Sequence, residues 1–375
     1  MRRTTGVAVA LVLLAACGDD GGDGEQTVDA GATRTSTPAA GTSGPSPLGA
    51  VTTEAVGAEV FADLPLPPVN ISGATSQPAF AAWDGGAVFL GPAGGLVRLG
   101  PESGAELTPT EGIDTGEEGT TERVVDVLAS DDETLLAIGH QEELVADVIP
   151  TTSTLVWWSD DGATWESVDV EGFAFGSDTV TVTAVIADPE GGWVAGGEID
   201  DGSQTTLTLW HSDDGERWEV VAVEGLDHTD TEEDGESIES LAVVDDTMLV
   251  AREATGLDDS RLSLLRGTQG RFEELEPTGL DALDLPNSDV IPAVTAVDDQ
   301  FVLFASVPIE GGDVFGERIP TLFTSPDGET WTASELDGPM LLDPFSLQAL
   351  TATDNGAIGL TEGDEVLDVW RFTDD

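Results

Sequence analysis

From about residue 58 onward, short apolar runs alternate with polar turns in a pattern that repeats six times. Each unit opens with two runs flanking a turn of Asp, Asn, Glu or Gly. These turns stand at Asp84-Gly85-Gly86, Asp131-Asp132-Glu133, Glu190-Gly191-Gly192, Asp245-Asp246-Thr247, Asp298-Asp299-Gln300 and Asp354-Asn355-Gly356. The flanks alternate or run apolar over strand length, as in VVDVLAS then TLLAIG, or ESLAVV then MLVA. Such a pair predicts a β-hairpin. A third run follows in each unit (STLVWWS, TLTLWHS, PTLFTS) and in most units a fourth (WESVDV, WEVVAV, WTASEL). Four strands every 50–57 residues or so is the signature of a β-propeller. The expected fold is therefore all-β: a six-bladed β-propeller of four-stranded antiparallel blades over residues 58–375.

Between the third and fourth runs, three units carry almost the same heptad. It reads SDDGATW at 159–165, SDDGERW at 212–218 and SPDGETW at 325–331. The first two copies are one period apart and the third is close to two periods further on. The skipped position holds RGTQGRF (266–272), and a still weaker copy, GPESGAEL, stands at 100–107. A sixth copy would fall past Phe372. The last blade thus has three strands of its own, and the ring is expected to be closed by an N-terminal strand. The expected donor is Leu64–Ser72, whose prolines would restrict it to an outer edge.

The heptad explains itself physically. Asp and Ser side chains accept from backbone N–H groups inside a tight turn, and Gly takes the positive φ. Trp packs between neighbouring sheets and gives its indole N–H to a rim acceptor. The pattern S-x-D-G-x-[T/R]-W resembles the Asp box, or BNR repeat, of sialidase-like and sortilin-type propellers, shortened by one residue. That resemblance implies a structural role in the turn between strands three and four for Ser159, Asp161, Gly162, Trp165, Ser212, Asp214, Gly215, Trp218, Ser325, Asp327, Gly328 and Trp331. In a four-stranded antiparallel blade the 1–2 and 3–4 turns lie at one end, so hairpins and boxes are expected to share one face of the ring. The irregular segments 108–123, 139–153, 224–237, 252–261 and 307–320 then share the other, where ligands are expected.

The N-terminus changes the picture of address. Arg2 and Arg3 precede the apolar run Gly6–Ala16, too short to span a bilayer and suited to a signal peptide. Leu14-Ala15-Ala16-Cys17 resembles the lipobox of bacterial lipoproteins. The resemblance implies cleavage after residue 16 and lipidation of Cys17, the single cysteine. Residues 17–57 follow as the lipidated cysteine and an acidic Gly/Ser/Thr/Pro tether, expected to be disordered with a reach of roughly 35 Å. The expected location is the outer side of the cytoplasmic membrane, with the lipid as the only membrane contact and the propeller as a monomer.

Charge excludes several partners. The chain has 74 acidic residues against 12 basic ones, all of them arginine, for a net charge of −62. Nucleic acid needs cationic patches and is excluded as a partner. The acidity suits a surface kept hydrated at high salt.

Candidate chemistry is sparse. Sialidase chemistry, which the resemblance raises, uses a Tyr nucleophile and three Arg that clamp a sugar carboxylate. This chain has no Tyr. The loop face carries chiefly Arg123, Arg252, Arg261 and Arg318 among many carboxylates. His211 beside a box reads as structural. Asp230, Glu232 and Asp234 mimic the start of a calcium loop, but position 12 is Leu241, so calcium is not favoured and no cofactor is expected. No catalytic set stands out. The first reading is a lipid-anchored, non-enzymatic binding or assembly propeller for a protein or glycan ligand. The alternative is a cell-surface glycoside-acting enzyme of sialidase-like fold without sialidase chemistry.

Overall fold

In a computed structural model, contacts group Thr33–Asp375 into one compact unit. The structure describes residues 34–36, 50–56 and 79–373, except 91–95, 101–104, 109, 114–115, 119–120, 132, 144–150, 174–178, 202–203, 222–223, 227–234, 256–259, 269, 284–292, 298, 309–317, 336–347, 354–355 and 363–366. The strands are β1 (Arg34–Ser36), β2 (Ala50–Val56), β3 (Phe80–Trp83), β4 (Gly86–Leu90), β5 (Leu96–Leu99), β6 (Ala105–Thr108), β7 (Gly116–Glu118), β8 (Thr121–Ser130), β9 (Leu135–Glu143), β10 (Thr151–Ser159), β11 (Glu166–Val168), β12 (Thr179–Ala187) and β13 (Trp193–Asp200). They continue as β14 (Thr205–Ser212), β15 (Glu219–Val221), β16 (Gly235–Val244), β17 (Thr247–Thr255), β18 (Ser260–Thr268), β19 (Arg271–Glu274), β20 (Ala293–Val297), β21 (Gln300–Pro308), β22 (Arg318–Ser325), β23 (Thr332–Glu335), β24 (Gln348–Thr353), β25 (Gly356–Glu362) and β26 (Leu367–Thr373).

These form six antiparallel sheets: β3–β6, β8–β11 with β7 added inside, β12–β15, β16–β19, β20–β23, and β24–β26 completed by β2 and β1. The first strands β3, β8, β12, β16, β20 and β24 touch in sequence, and β24 touches β3 again, so the ring closes around a central channel. The molecule is a six-bladed β-propeller.

The second strands show why the sequence reads as unbroken apolar runs. A blade is covered on both faces, so alternate residues enter different cores. In β9, Leu136 and Ile138 pack between blades two and three, while Leu135 and Ala137 pack between blades one and two. In β21, Phe301, Leu303 and Ala305 face blade four, and Val302 and Phe304 face blade six. Six such inter-blade cores encircle the channel.

The closing strand differs from the expected one. It is β2, with Ala50 opposite Thr373 and Val56 opposite Leu367, and it lies within the stretch assigned to the tether. Leu64–Ser72 lies outside the described residues. The reason is visible in the ladder: β2 pairs with β26 on one side and β1 on the other. A strand paired on both sides needs N–H groups in both directions. AVTTEAV supplies them and is rich in β-branched residues, whereas the 64–72 segment carries three prolines.

Candidate functional site

The three Ser-Asp-Gly-Trp turns come first, because their polar side chains are the most conspicuous in the sequence. In blade two, Gly162 N–H donates to Ser159 Oγ (2.8 Å), and Ala163 and Thr164 N–H donate to Asp161 Oδ1 (2.8 and 2.7 Å). Trp165 Nε1 donates to the Gly162 carbonyl (3.2 Å). Blade three repeats this with Ser212, Asp214, Gly215 and Trp218, and blade five with Ser325, Asp327, Gly328 and Trp331. Gly215 is required twice over. Its φ is +69°, and a Cβ there would lie 2.2 Å from the Trp158 ring.

These bonds hold the carboxyls ionised. Backbone donation, from Thr164 first, lowers the Asp161 pKa, and donation from Arg217 does the same for Asp214. At Asp327, burial works upward but is outweighed by the N–H groups of Thr330 and Glu329 and the Ser325 hydroxyl, so the net shift is down.

Each turn also fastens a neighbour. After its fourth strand, one blade sends a short Glu-Gly or Thr-Gly segment back to the next blade's turn. The bridges are Glu111 to Thr164, Glu171 to Arg217, Glu224 to Arg271 and Thr278 to Thr330. Trp165, Trp218, Phe272 and Trp331 each donate their backbone N–H to that segment. Gly172 shows how tight the clip is: φ is +111°, and a Cβ would meet the Trp218 carbonyl oxygen at 1.9 Å. The degenerate copy at 266–272 makes the same bridge with a tight hairpin in place of the Asp turn. His211 pairs with Asp188 (3.4 Å) at the foot of the neighbouring hairpin. All of these side chains are engaged by backbone or packing.

A different set of polar residues stands on and beside the first strands, and two of them, Thr183 and Glu239, line the channel. β8, β12 and β16 each carry a β-bulge at the same place in the repeat. The ladder skips Asp126, Thr183 and Glu239, leaving each unpaired between neighbours that do pair. Bulges re-aim side chains and occur next to active sites. Asp126 Oδ2 bonds His140 Nδ1 at 2.7 Å. Glu239 accepts from the Ser237 hydroxyl. Glu198, on β13, and Glu253, on β17, act on it electrostatically.

Burial is the main reason that the Glu239 pKa is pushed up to about 7. Glu253 and Glu198 add to the rise, and the Ser237 hydrogen bond opposes it. Glu198 is itself raised, by burial and then by Asp200. Glu198 and Glu253 therefore oppose ionisation of Glu239.

Glu239 lines a cavity of about 300 Å³ bounded by the first strands of all six blades, from Phe80–Ala82 round to Leu350–Ala352. Its walls are mostly small apolar residues and hydroxyls. Among the described residues, Glu239 is its one charged lining residue. The cavity reaches the hairpin ends of these strands, where Pro189 borders it, while much of the opposite loop face lies outside the described residues.

Arg252, expected on that loop face, is buried at 4% exposure. It donates to Ser263 (3.0 Å), the Leu226 carbonyl (3.4 Å) and Glu274 (3.3 Å). Those bonds hold the guanidinium inside its blade. Cys17 and the calcium-loop candidates Asp230, Glu232 and Asp234 lie outside the described residues. Among the described residues, no group of three or more His, Cys, Asp or Glu is arranged to hold a metal ion.

The bulge residues escaped the sequence reading. A signal was present: polar residues interrupt the apolar first strand at the same phase in three successive repeats, one in VVDV and VTAV and two in IESL.

The fold is a six-bladed β-propeller with one acid, Glu239, lining its central cavity among the described residues. Phage phi92 endosialidase superposes with a TM-score of 0.52 at 9% identity, covering 80% of this chain and 67% of the phage protein. Trypanosoma rangeli sialidase in complex with 2,3-difluoro-KDN gives 0.52 at 12% identity, covering 78% of this chain and 53% of the sialidase. This chain thus matches about half the length of the trypanosomal enzyme. Zg3597, a family 117 glycoside hydrolase from the marine bacterium Zobellia galactanivorans, gives 0.46 at 11% identity, covering 71% and 90%. At these identities the likeness is one of fold. No family model and no curated protein matches the sequence.

Proposed function

We propose that this propeller acts on glycosides without sialidase chemistry, with Glu239 as the proton donor. The observation that carries the proposal is Glu239 itself: a carboxyl re-aimed by a bulge into the central cavity, protonated near neutral pH, beside Glu198 and Glu253. Glycoside cleavage needs one carboxylic acid to protonate the leaving oxygen and one carboxylate to serve as base or nucleophile. Like charges in a poorly solvated site separate those roles. The sialidase and endosialidase neighbours support the second of the two sequence readings better than the first.

The substrate class follows from charge. The chain has no Tyr for a sialidase-type nucleophile, and among the described residues the cavity lining has no arginine for a sugar carboxylate. A net charge of −62 repels anions at a distance. A neutral sugar fits these conditions. The three Ser-Asp-Gly-Trp turns enter the proposal as Asp boxes that only build the ring. The domain works outside the cytoplasmic membrane, held by lipid on Cys17. Cys17→Ser is expected to release the protein from the membrane fraction, and retention there would remove the anchor.

A panel of 4-methylumbelliferyl glycosides tests the activity. Turnover is expected on a neutral glycoside and not on the sialoside. Glu239→Gln should lower kcat by about 10²-fold or more. No turnover across the panel, or unchanged kcat in Glu239→Gln, would return the molecule to the non-enzymatic reading.

A further inference from the structure

Glu239 sits on a strand segment held from both neighbouring blades. Thr183 is the bulged residue of β12 in blade three. Its hydroxyl donates across the blade boundary to the Ile238 carbonyl and lies 3.4 Å from the Gly196 carbonyl of its own blade. A hydroxyl has one proton, and Ile238 is the nearer acceptor. On the far side, Ser240 Oγ accepts from Val294 N–H of blade five at 3.2 Å. Thus residues 238 and 240, flanking Glu239, are each tied to a different neighbour.

The Ile238 carbonyl belongs to the peptide plane that leads into Glu239. Fixing that plane fixes the N–Cα bond of Glu239 and so limits the directions its Cα–Cβ bond can take. Ser237 then holds the carboxyl end of the same side chain. Bulging makes both contacts available, because Glu239 has no ladder partner between Ile238–Arg252 and Ser240–Ala251.

From this geometry we infer that Thr183 is a positioning residue: its hydroxyl, reaching from blade three into blade four, holds Glu239 aimed into the channel. The inference rests on the glycosidase reading for its consequence but on the hydrogen-bond geometry for its substance. The charged groups around Glu239 are Glu198 from β13 and Glu253 from β17. Arg252, opposite Ile238, is bonded away to Ser263, Leu226 and Glu274.

The test compares Thr183→Val with Thr183→Ser in the full chain. Val keeps the shape and removes the hydroxyl, whereas Ser restores it. The first readout needs no substrate: the carbon-13 carboxyl titration of Glu239, assigned by its loss in Glu239→Gln. Thr183→Val is expected to move the Glu239 midpoint down by about one pH unit, as the side chain gains solvent, and Thr183→Ser to restore it. The second readout is kcat on the active neutral glycoside, expected to fall about tenfold in Val with KM little changed, and to recover in Ser. A midpoint unmoved in Val, or not restored in Ser, overturns the positioning role even if the enzyme turns over. A midpoint that moves and recovers in a protein without turnover upholds the positioning role and removes only the glycosidase reading.

Discussion

The Ser-Asp-Gly-Trp turns and the bulged first strands are both repeated, both polar and both rich in carboxylates, yet they treat charge in opposite ways. In the turns, Asp161, Asp214 and Asp327 meet backbone N–H groups, and their pKa values fall. In the channel, Glu239 meets burial and like charge, and its pKa rises. A turn uses its carboxylate to fix a backbone shape and is improved by every donor it collects. The channel holds an acid in a place that opposes ionisation. Stability accounts for the first arrangement and not for the second, which is the physical ground for looking at the channel for chemistry.

Three experiments sharpen or break this contrast. Trp218→Ala is expected to have the largest effect on folding. Trp218 is 3% exposed, stacks on Phe173 at 4.9 Å and anchors the clip to Glu171. A loss of about 3–5 kcal/mol should appear in denaturant unfolding. A loss below about 1 kcal/mol would mean that the turn is not the structural element described.

The next effect concerns pH. In the folded state Glu239 stays protonated to about pH 7, while in the unfolded chain it ionises near pH 4.5. The native state therefore binds the extra proton, and this group's contribution to stability is lost as pH rises between those values, by about 3 kcal/mol in total. Glu239→Gln should remove that part of the slope and be more stable than the parent at pH 8. An unchanged slope would place Glu239 in contact with solvent and undo the contrast.

The smallest effect has the opposite sign in pH. Asp161→Ala should cost about 1 kcal/mol at pH 7 through lost backbone acceptance. Since the folded pKa of Asp161 is lowered, its contribution is present above the unfolded value of 3.8 and disappears as pH falls below it. Parent and variant should therefore converge in acid. Divergence in acid would contradict the assigned direction.

Much of the ring was legible because its signals are local. Turn residues such as Asp84-Gly85, with φ of +52° and +73°, mark a hairpin directly, and Trp165, Trp218 and Trp331 recur at the blade period. What was not legible depends on tertiary pairing. Leu64–Ser72 was a plausible edge strand by itself; that the closing strand is paired on both sides appears only in the sheet. Arg252 reads as a loop cation until Glu274 and Ser263 are seen around it. Bulges are hardest of all, because one extra residue shifts the alternation from which the facing of a side chain is read. Asp126, Thr183 and Glu239 were hidden by that one-residue slip. The Glu-Gly clips at 111 and 171 were overlooked because their partners lie a blade away.

Ring closure by β2 has a bearing on how the molecule is made. The ladder joins Ala50 to Thr373, so β2, which precedes every blade, joins its blade only once β26 is in place. Until the ring closes, the growing chain carries two uncovered apolar blade faces, one on the first blade and one moving with synthesis. Such exposed apolar surface invites association between chains, and the long separation makes the final contact slow. A chain of net charge −62 is well suited to that interval. Mutual repulsion between chains of this charge opposes association of partly built rings, so the same acidity bears on assembly as well as on ligand charge.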